Sequence, residues 1–156
     1  MKTWPDSVHA FLARKHVPLY IHLAAATGAY PFGCRGYSVR TEPDVSVWIT
    51  VLASQWLRLR EHVKAGSSVA ALITSGADNE SYQLKGRFID CRSVGREEAV
   101  LLEEQRNYAA LHYPNLLPLI QVGVSDCVSI GLQADRVYAQ TPGPAAGRLL
   151  QEKEAD

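Results

Sequence analysis

The chain has 156 residues, 47% of them apolar, which suits one domain with a sizeable buried core. Its 16 basic and 16 acidic residues balance to a formal net charge of zero. This balance disfavours binding to nucleic acid or to a membrane surface, because both need a large uncompensated positive field, and no apolar run approaches the roughly 18 residues of a membrane span.

The first half of the chain predicts a helix, three strands and a second helix. The first helix covers 4–15, the strands cover 17–24, 30–40 and 45–52, and the second helix runs from 55 to about 65. Ser54 is the predicted N-cap of the second helix and Gly66 its C-cap. Short turns separate the strands, one of them at Thr27-Gly28, so we expect an antiparallel meander. In the third strand, alternate residues share one face: Val45, Val47, Ile49 and Val51.

The second half predicts strands over 68–74 and 81–92, a helix from 96 to about 113 and a last strand over 127–138. The apolar stripe expected on that helix consists of Leu101, Gln105, Tyr108 and Leu111. The tail from about 145 is rich in small residues and is expected to be flexible. Short strands with tight turns avoid exposed edges best by closing on themselves, so the expected fold is mainly β, a barrel of about six antiparallel strands with flanking helices.

The cysteines and histidines give no sign of a disulfide framework or a metal site. Three cysteines form no CxxC pair, and five histidines are scattered without HxH or HxxxH spacing. The first 16 residues lack the uninterrupted apolar core of a secretory signal. We therefore expect reduced thiols and a cytoplasmic location.

Arginines and hydroxyl residues of the meander are the first candidate site. Arg35 and Arg40 lie on the second strand, Thr50 ends the third, and Ser54 and Arg58 follow at the second helix. A phosphate group needs such converging cations and hydroxyl donors. The five-residue spacing of the two strand arginines puts them on opposite faces unless a bulge forms at Gly36 or Arg40 ends the strand. The competing interpretation is solvated arginines on an edge strand.

Arginine usage and a second strand add to this picture. Eleven of the 16 basic residues are arginine, which favours bidentate phosphate recognition but is also typical of a GC-rich genome. On the strand 81–92, one face is polar and must meet solvent, a ligand or a partner subunit: Ser81, Gln83, Lys85 and Arg87. The segment Gln140–Pro144 (QTPGP) has clear turn chemistry without an evident function.

Taken together, these segments resemble the pyridoxamine 5′-phosphate oxidase-like, FMN-binding split-barrel family. The resemblance covers nearly the whole chain and rests on CRGYSVR, VWIT, WLRLREHVKAG, SVAALIT and YQLKGR. It is closer still to a bacterial branch that combines a QLKGR-like strand with a C-terminal QTPGP-x-AG segment. The resemblance implies a split barrel, an FMN cofactor and a homodimer with flavin in grooves between the subunits.

The resemblance also implies a set of cofactor-binding residues. The two basic residues that hold the FMN phosphate resemble Arg35 and Arg40, and the hydroxyl residue after them resembles Thr50. The family's Ser-Arg-Lys turn reads Ser54-Gln55-Trp56 here, which leaves Arg58 as the substitute cation. Gln83 is the counterpart of a glutamine that contacts the flavin ring, with Ser81 possible in another register.

The function expected from the resemblance is an FMN-dependent oxidoreductase without a named catalytic residue. The Trp- and Arg-rich C-terminal motif of true pyridoxamine-phosphate oxidases has no counterpart in VYAQTPGPAAGRLL, so that activity is not expected. The alternative is a non-catalytic split-barrel dimer. It would bind another phosphorylated or heterocyclic ligand, such as a deazaflavin or haem, or carry a decayed flavin site with Trp56 in the space of the ring. A nucleic-acid-binding barrel is disfavoured by the neutral charge.

Overall fold

The computed structural model describes residues 3–25 and 30–153, so the predicted turn at Thr27-Gly28 lies outside it. Within that range the strands are β1 Leu19–Ala25, β2 Phe32–Thr41, β3 Ser46–Leu52, β4 Ser68–Ser75, β5 Ser81–Ser93, β6 Cys127–Ala139 and β7 Leu149–Glu152. The α-helices are α1 Asp6–Leu12, α2 Ala53–Leu59, α3 Arg96–His112 and α4 Leu117–Ile120. Single 3-10 turns cover Pro114–Leu116 and Val124–Asp126.

Six of the strands close into an antiparallel barrel. Their order is β3-β2-β1-β4-β5-β6, and β3 pairs with β6 over its full length, from Ser46 opposite Gln133 to Leu52 opposite Cys127. β7 adds to the outer edge of β6. Closure leaves the six barrel strands without a free edge, which removes the risk of edge-to-edge association. The predicted mainly β split barrel with flanking helices is confirmed.

The barrel interior takes alternate residues from each strand, as the sequence pattern predicts. The four β3 residues expected on one face, Val45 to Val51 in steps of two, are at most 1% exposed. Phe11 of α1 is fully buried and meets the ring of Tyr82 edge-on at 5.0 Å, so α1 packs on the same core. Trp56 of α2 stacks on Phe88 at 5.7 Å and also joins this core.

A β-bulge in β2 decides which way its side chains point. The pairing between β2 and β3 shifts between Gly36 and Ser38, so Tyr37 is the extra residue. Gly36 faces inward, since a Cβ there would lie 2.6 Å from the Ile49 side chain. Val39 is 4% exposed and also faces inward. Arg35 and Arg40 therefore share the outer face of the barrel, which strict alternation would not allow.

The outer face of the barrel is covered unevenly by helices. α3 packs against β2, and its Glu98 accepts a hydrogen bond from Ser129 of β6. The buried stripe of α3 differs from the predicted one and consists of Glu98, Leu102, Gln105 and Ala109. Leu111 is 77% exposed. The side of α3 that faces the barrel includes the buried polar residues Glu98 and Gln105, so it is rotated by about one residue relative to the side that the apolar pattern predicts.

Three further predictions need correction. α2 begins at Ala53 and ends at Leu59, so Ser54 lies inside the helix and is not its N-cap. Gly66 does not cap it, since its N–H bonds to the carbonyl of Phe88 at 2.9 Å with φ +82°. β7 occupies part of the segment expected to be a flexible tail. Every helix in the described residues falls short of the length and apolarity that crossing a membrane requires.

Candidate functional site

A cleft of about 490 Å³ opens on the outer face of β1 and β2, and we call it the arginine cleft. Its lining comes from β1, β2, β3 and α2: His22, Leu23, Ala24, Gly33, Cys34, Arg35, Tyr37, Leu52 and Gln55. Its volume lies within the roughly 300–1,000 Å³ typical of small-molecule sites. Of the six residues predicted to bind a cofactor, only Arg35 lines it.

Arg35 is held at the cleft by two aromatic rings. Its guanidinium carbon lies 5.7 Å from the ring centre of Tyr20 and 5.5 Å from that of Tyr37. The bulge places Tyr37 beside Arg35, and antiparallel pairing places His22 opposite it. Both distances are within the roughly 6 Å of a cation–π contact, which favours this position of the guanidinium.

One nitrogen of Arg35 is an orphaned donor. Nη2 is buried and has no hydrogen-bond partner among residues 3–25 and 30–153. No described carboxylate lies within ion-pairing distance of this guanidinium. A buried donor without a partner is costly, and an acceptor that reached Nη2 would remove that cost.

The start of α2 borders the same cleft. Gln55 and Leu52 line it directly, and Arg58 lies three residues after Gln55, which places both on neighbouring positions of one helix face. Arg58 is exposed, with its guanidinium carbon 5.2 Å from the ring centre of Phe32. Ser54 is exposed on α2 and makes no side-chain cap. Arg58, the substitute cation that the resemblance implies, thus lies close in sequence to a residue of the cleft wall but does not line the cleft.

Arg40 is separated from the arginine cleft by its own ion pairs. It pairs with Glu42, with Glu97 at 2.9 Å and with Glu98 at 3.7 Å. Its side chain is 20% exposed beneath the N-terminal end of α3. Although the bulge puts it on the same face as Arg35, three carboxylates already surround this guanidinium.

Thr50 also lies beneath α3. It is fully buried, and the Ser38 hydroxyl donates a hydrogen bond to it at 2.8 Å. Ser129, opposite Thr50 in β6, is fully buried and donates to Glu98 at 3.0 Å. Thr50 and Arg40 therefore belong to a buried polar layer between α3 and the barrel, apart from Arg35.

Glu98 is the centre of that polar layer. It is 2% exposed and accepts hydrogen bonds from Arg92 at 2.8 Å and from the Gly95 N–H at 2.5 Å. Burial alone would raise the pKa of this carboxyl, but the hydrogen bonds from Arg92, Gly95 and Ser129 outweigh it and lower the pKa below its usual value. Arg92 in turn lies 3.6 Å above the ring of Trp48.

Gln83 lies on the outer face with Arg35, three strands away. The register places Arg35, His22, Leu72, Gln83 and Tyr138 in one row across β2, β1, β4, β5 and β6. At the usual spacing of strands, this sets the backbones of Arg35 and Gln83 roughly 14 Å apart. The row crosses the side of the barrel that is only partly covered in the described residues, where His22 is exposed and Leu72 and Gln83 are half-buried.

The QTPGP segment is hydrogen-bonded to the start of β5, where Gln83 lies. Gln140 Nε2 donates to Gln83 Oε1 at 3.4 Å, and the Thr141 hydroxyl accepts from the Ser81 N–H at 3.0 Å. The backbone N–H of Gln140 donates to the Ser81 carbonyl at 2.8 Å. The two segments that the resemblance links in sequence are therefore in contact.

No nucleophile stands out at the arginine cleft. Burial raises the pKa of the Cys34 thiol to about 11, which keeps it protonated and unreactive at neutral pH. The cleft provides cation–aromatic binding groups rather than an acid–base pair.

Sequence reasoning missed several residues of the cleft. His22 and Tyr37 of the lining, and Tyr20 beside Arg35, were not predicted because each looks like an ordinary outward residue of a strand. The CRGYSVR segment does contain the signal for Tyr37, since a glycine in mid-strand predicts the bulge that turns this ring toward Arg35. Gln55 was noted only as a departure from the family's turn.

No protein-family model matches the sequence, and no curated protein matches it either. Solved structures do share the fold. HupZ of Group A Streptococcus has a TM-score of 0.51 at 14% identity, over 92% of this chain and all of that one. A pyridoxamine 5′-phosphate oxidase candidate from Lactobacillus delbrueckii has a TM-score of 0.50 at 10% identity, over 89% of this chain and 96% of that one.

These similarities define the class of protein. The chain is a closed antiparallel split barrel with an arginine-lined cleft on its outer face. More specifically, it has the fold of the pyridoxamine 5′-phosphate oxidase-like split barrels, as the sequence resemblance implies. Identities of 10% and 14% extend this conclusion to the fold alone.

Proposed function

We propose that the protein is an FMN-binding flavoprotein of the split-barrel type, with the FMN phosphate at Arg35, and not a pyridoxamine-phosphate oxidase. The observation that supports this most is the buried, unpartnered Nη2 of Arg35 in a cleft of about 490 Å³. A phosphate oxygen would satisfy that donor and neutralise the charge. The fold shared with the Lactobacillus delbrueckii protein is consistent with this ligand.

Two residues of the cleft wall, and a third next to it on α2, fit the phosphate end of such a cofactor. Arg35 supplies the charge, Gln55 supplies an amide donor, and Arg58 lies on the same face of α2 as Gln55. Gln83, in the same cross-strand row as Arg35, is the proposed contact for the ring. FMN, when bound, supplies the hydride or electron chemistry, and the protein supplies orientation and electrostatics.

Two of the predicted ligands fit this cofactor less well. Arg40 already pairs with three carboxylates, and Thr50 is hydrogen-bonded to Ser38 under α3. With Arg40 neutralised, Arg35 and Arg58 remain to hold a dianionic phosphate. We therefore expect FMN to bind more weakly than it would to a site with all three cations available.

A second candidate function follows from the neutralised Arg40. Trp56 packs on Phe88 and does not line the cleft, so it does not occupy the space of a ring there. Arg35 is half-buried and is the one arginine or lysine of the described residues that lines the cleft. These features favour a non-catalytic barrel that binds a heterocyclic ligand with one anionic group, such as a carboxylate-bearing haem, or a phosphorylated deazaflavin. Both functions use Arg35.

We propose that the protein is a homodimer in either case. The partly covered outer face of β1, β4 and β5 carries half-buried Leu72, in the cross-strand row between exposed His22 and half-buried Gln83. Apolar side chains on an exposed sheet face favour contact with a second copy of the same face. A cytoplasmic location, and the absence of nucleic-acid and membrane partners, remain predictions from the sequence.

The proposed function is tested with the full chain. The absorption spectrum of freshly purified protein is recorded first, and FMN is then titrated into protein freed of small molecules while flavin fluorescence is followed. We expect saturable binding with a Kd below about 100 µM, equivalent to roughly −5.5 kcal/mol. Absence of saturation at that concentration would sink the flavin assignment. A haem-type Soret band in the purified protein would favour the second candidate.

A further inference from the structure

A second and larger cleft, of about 710 Å³, lies on the same side of the barrel. It adjoins the arginine cleft, because Ala24 lines both. One cross-strand row of paired residues passes through it, made of Gly33, Ala24, Ala70, Lys85 and Arg136. This row lies on the outer face, like the row that contains Arg35, and crosses β1 two residues later, at Ala24 instead of His22. We call it the lysine cleft.

The lysine cleft is positively charged. Four basic residues and two acidic ones line it, which leaves a formal surplus of two positive charges. Arg87 pairs with Asp135 at 3.1 Å, and Arg136 pairs with Glu152 at 2.5 Å. Both acidic residues of the lining are thus engaged by arginines.

Lys85 lines this cleft without an ion pair to any carboxylate of the described residues. No carboxylate of the described residues lies within 4.0 Å of its ammonium group, which sits 4.9 Å from the ring centre of Tyr138. The β5–β6 register shifts between Lys85 and Gly86, and Asp135 is the extra residue opposite, turned toward Arg87. The bulge therefore directs the nearest acid away from Lys85.

Apolar residues provide most of the remaining lining: Ala24, Ala25, Pro31, Val69 and Ala70. Small side chains along Ala24 and Ala70 leave a shallow floor next to the charged wall. A floor of this kind suits a flat apolar group, and an uncompensated ammonium suits a carboxylate at its edge.

We propose that the lysine cleft is a second ligand site, which binds a small carboxylate with a flat apolar body through Lys85. Binding there does not require the flavin. If the proposed function holds, the ligand of this cleft is the substrate, and it lies next to the flavin because Ala24 lines both clefts. The substrate class would then be an aromatic or unsaturated carboxylic acid.

The test measures a probe pair by calorimetry on the full chain without flavin. The probes are 2-naphthoate and its neutral analogue 2-naphthamide. We expect wild-type protein to bind naphthoate at least about tenfold more tightly than naphthamide, and Lys85→Met to remove that preference, as expected for one charge-assisted contact. The control is Lys15→Met, which removes an exposed lysine after α1 and is expected to retain the preference for naphthoate.

Separate outcomes distinguish this site from the arginine cleft. Arg35→Met is expected to weaken FMN binding and leave naphthoate binding unchanged, whereas Lys85→Met is expected to spare FMN affinity within about threefold. Equal affinity of wild type for the two probes, or a preference that survives Lys85→Met, would overturn the second site even if FMN binds. Thermal melting of each variant checks that the fold is retained.

Discussion

Glu98 shows how a single buried carboxylate links α3 to the barrel. Its folded-state pKa lies below the usual value, so its ionised form stabilises the folded protein. That contribution is complete above the unfolded-state pKa of about 4.5 and is lost as the pH falls through the lower folded value. The effect runs in this direction because the folded state holds the proton less tightly than the unfolded chain.

Replacing Glu98 should therefore matter more at neutral pH than in acid. We expect Glu98→Gln to lower the free energy of unfolding by about 1–3 kcal/mol at pH 7, since it removes charge-assisted contacts to Arg92 and Ser129. The difference from wild type should shrink below about pH 4.5. Urea unfolding at pH 7 and pH 3.5 measures it, with Glu97→Gln as the control, because that side chain is 78% exposed and its pair with Arg40 contributes little.

Single residues also mark the limit of prediction from sequence. The sequence left open whether Arg35 and Arg40 share a face, and the bulge after Gly36 places both on the outer face. The pairs of Arg40 with Glu97 and Glu98 were not foreseen, because these carboxylates lie 57 and 58 residues later in the chain. Contacts between side chains so distant in sequence depend on packing, which local patterns do not encode.

At the scale of elements, bulges shape both clefts. The bulge of β2 turns Tyr37 toward Arg35, and the bulge opposite Lys85 turns Asp135 toward Arg87. The second of these depends on close backbone approach at Gly86, where a Cβ would lie 1.9 Å from the Gln133 carbonyl oxygen. Backbone atoms on both sides leave little room for relaxation.

Gly86→Ala should consequently destabilise the barrel. We expect a loss of about 1–3 kcal/mol from the forced separation of β5 and β6, measured as a lower midpoint in urea with an unchanged slope. Gly33→Ala is the matched control on β2, since a Cβ there meets only the Leu23 carbonyl oxygen at an ordinary 3.5 Å. A Gly86→Ala protein as stable as that control would contradict the close approach.

The strands were more predictable than the ends of the helices. Alternation along β3 and β5 reports burial on one face directly, and those strands lie within one residue of their expected bounds. α2 ends six residues earlier than expected, and β7 was missed because its four residues gain a partner only when β6 is in place. Propensity alone does not report such tertiary pairing.

At the scale of the molecule, barrel closure leaves one broad side available for assembly. We expect light scattering to give twice the chain mass of 17.2 kDa for the wild type. Leu72→Glu should shift the protein to the monomer, because it places a charge at the centre of the partly covered face. The control is Leu111→Glu, which alters an exposed leucine of α3, and this variant should stay dimeric. If the Leu72→Glu protein were still a dimer, the interface would not lie on this face.

The central claim is that Arg35 holds the anionic end of the ligand, and the phosphate dependence of flavin binding tests it most directly. Affinities for FMN and for riboflavin, which lacks the phosphate, are measured in wild type, Arg35→Met and the control Arg60→Met, an exposed arginine of the same region. The wild type and the control should prefer FMN by about 10- to 100-fold, and Arg35→Met should bind the two flavins equally. An undiminished preference for FMN in Arg35→Met would contradict the assignment of the phosphate to this cleft.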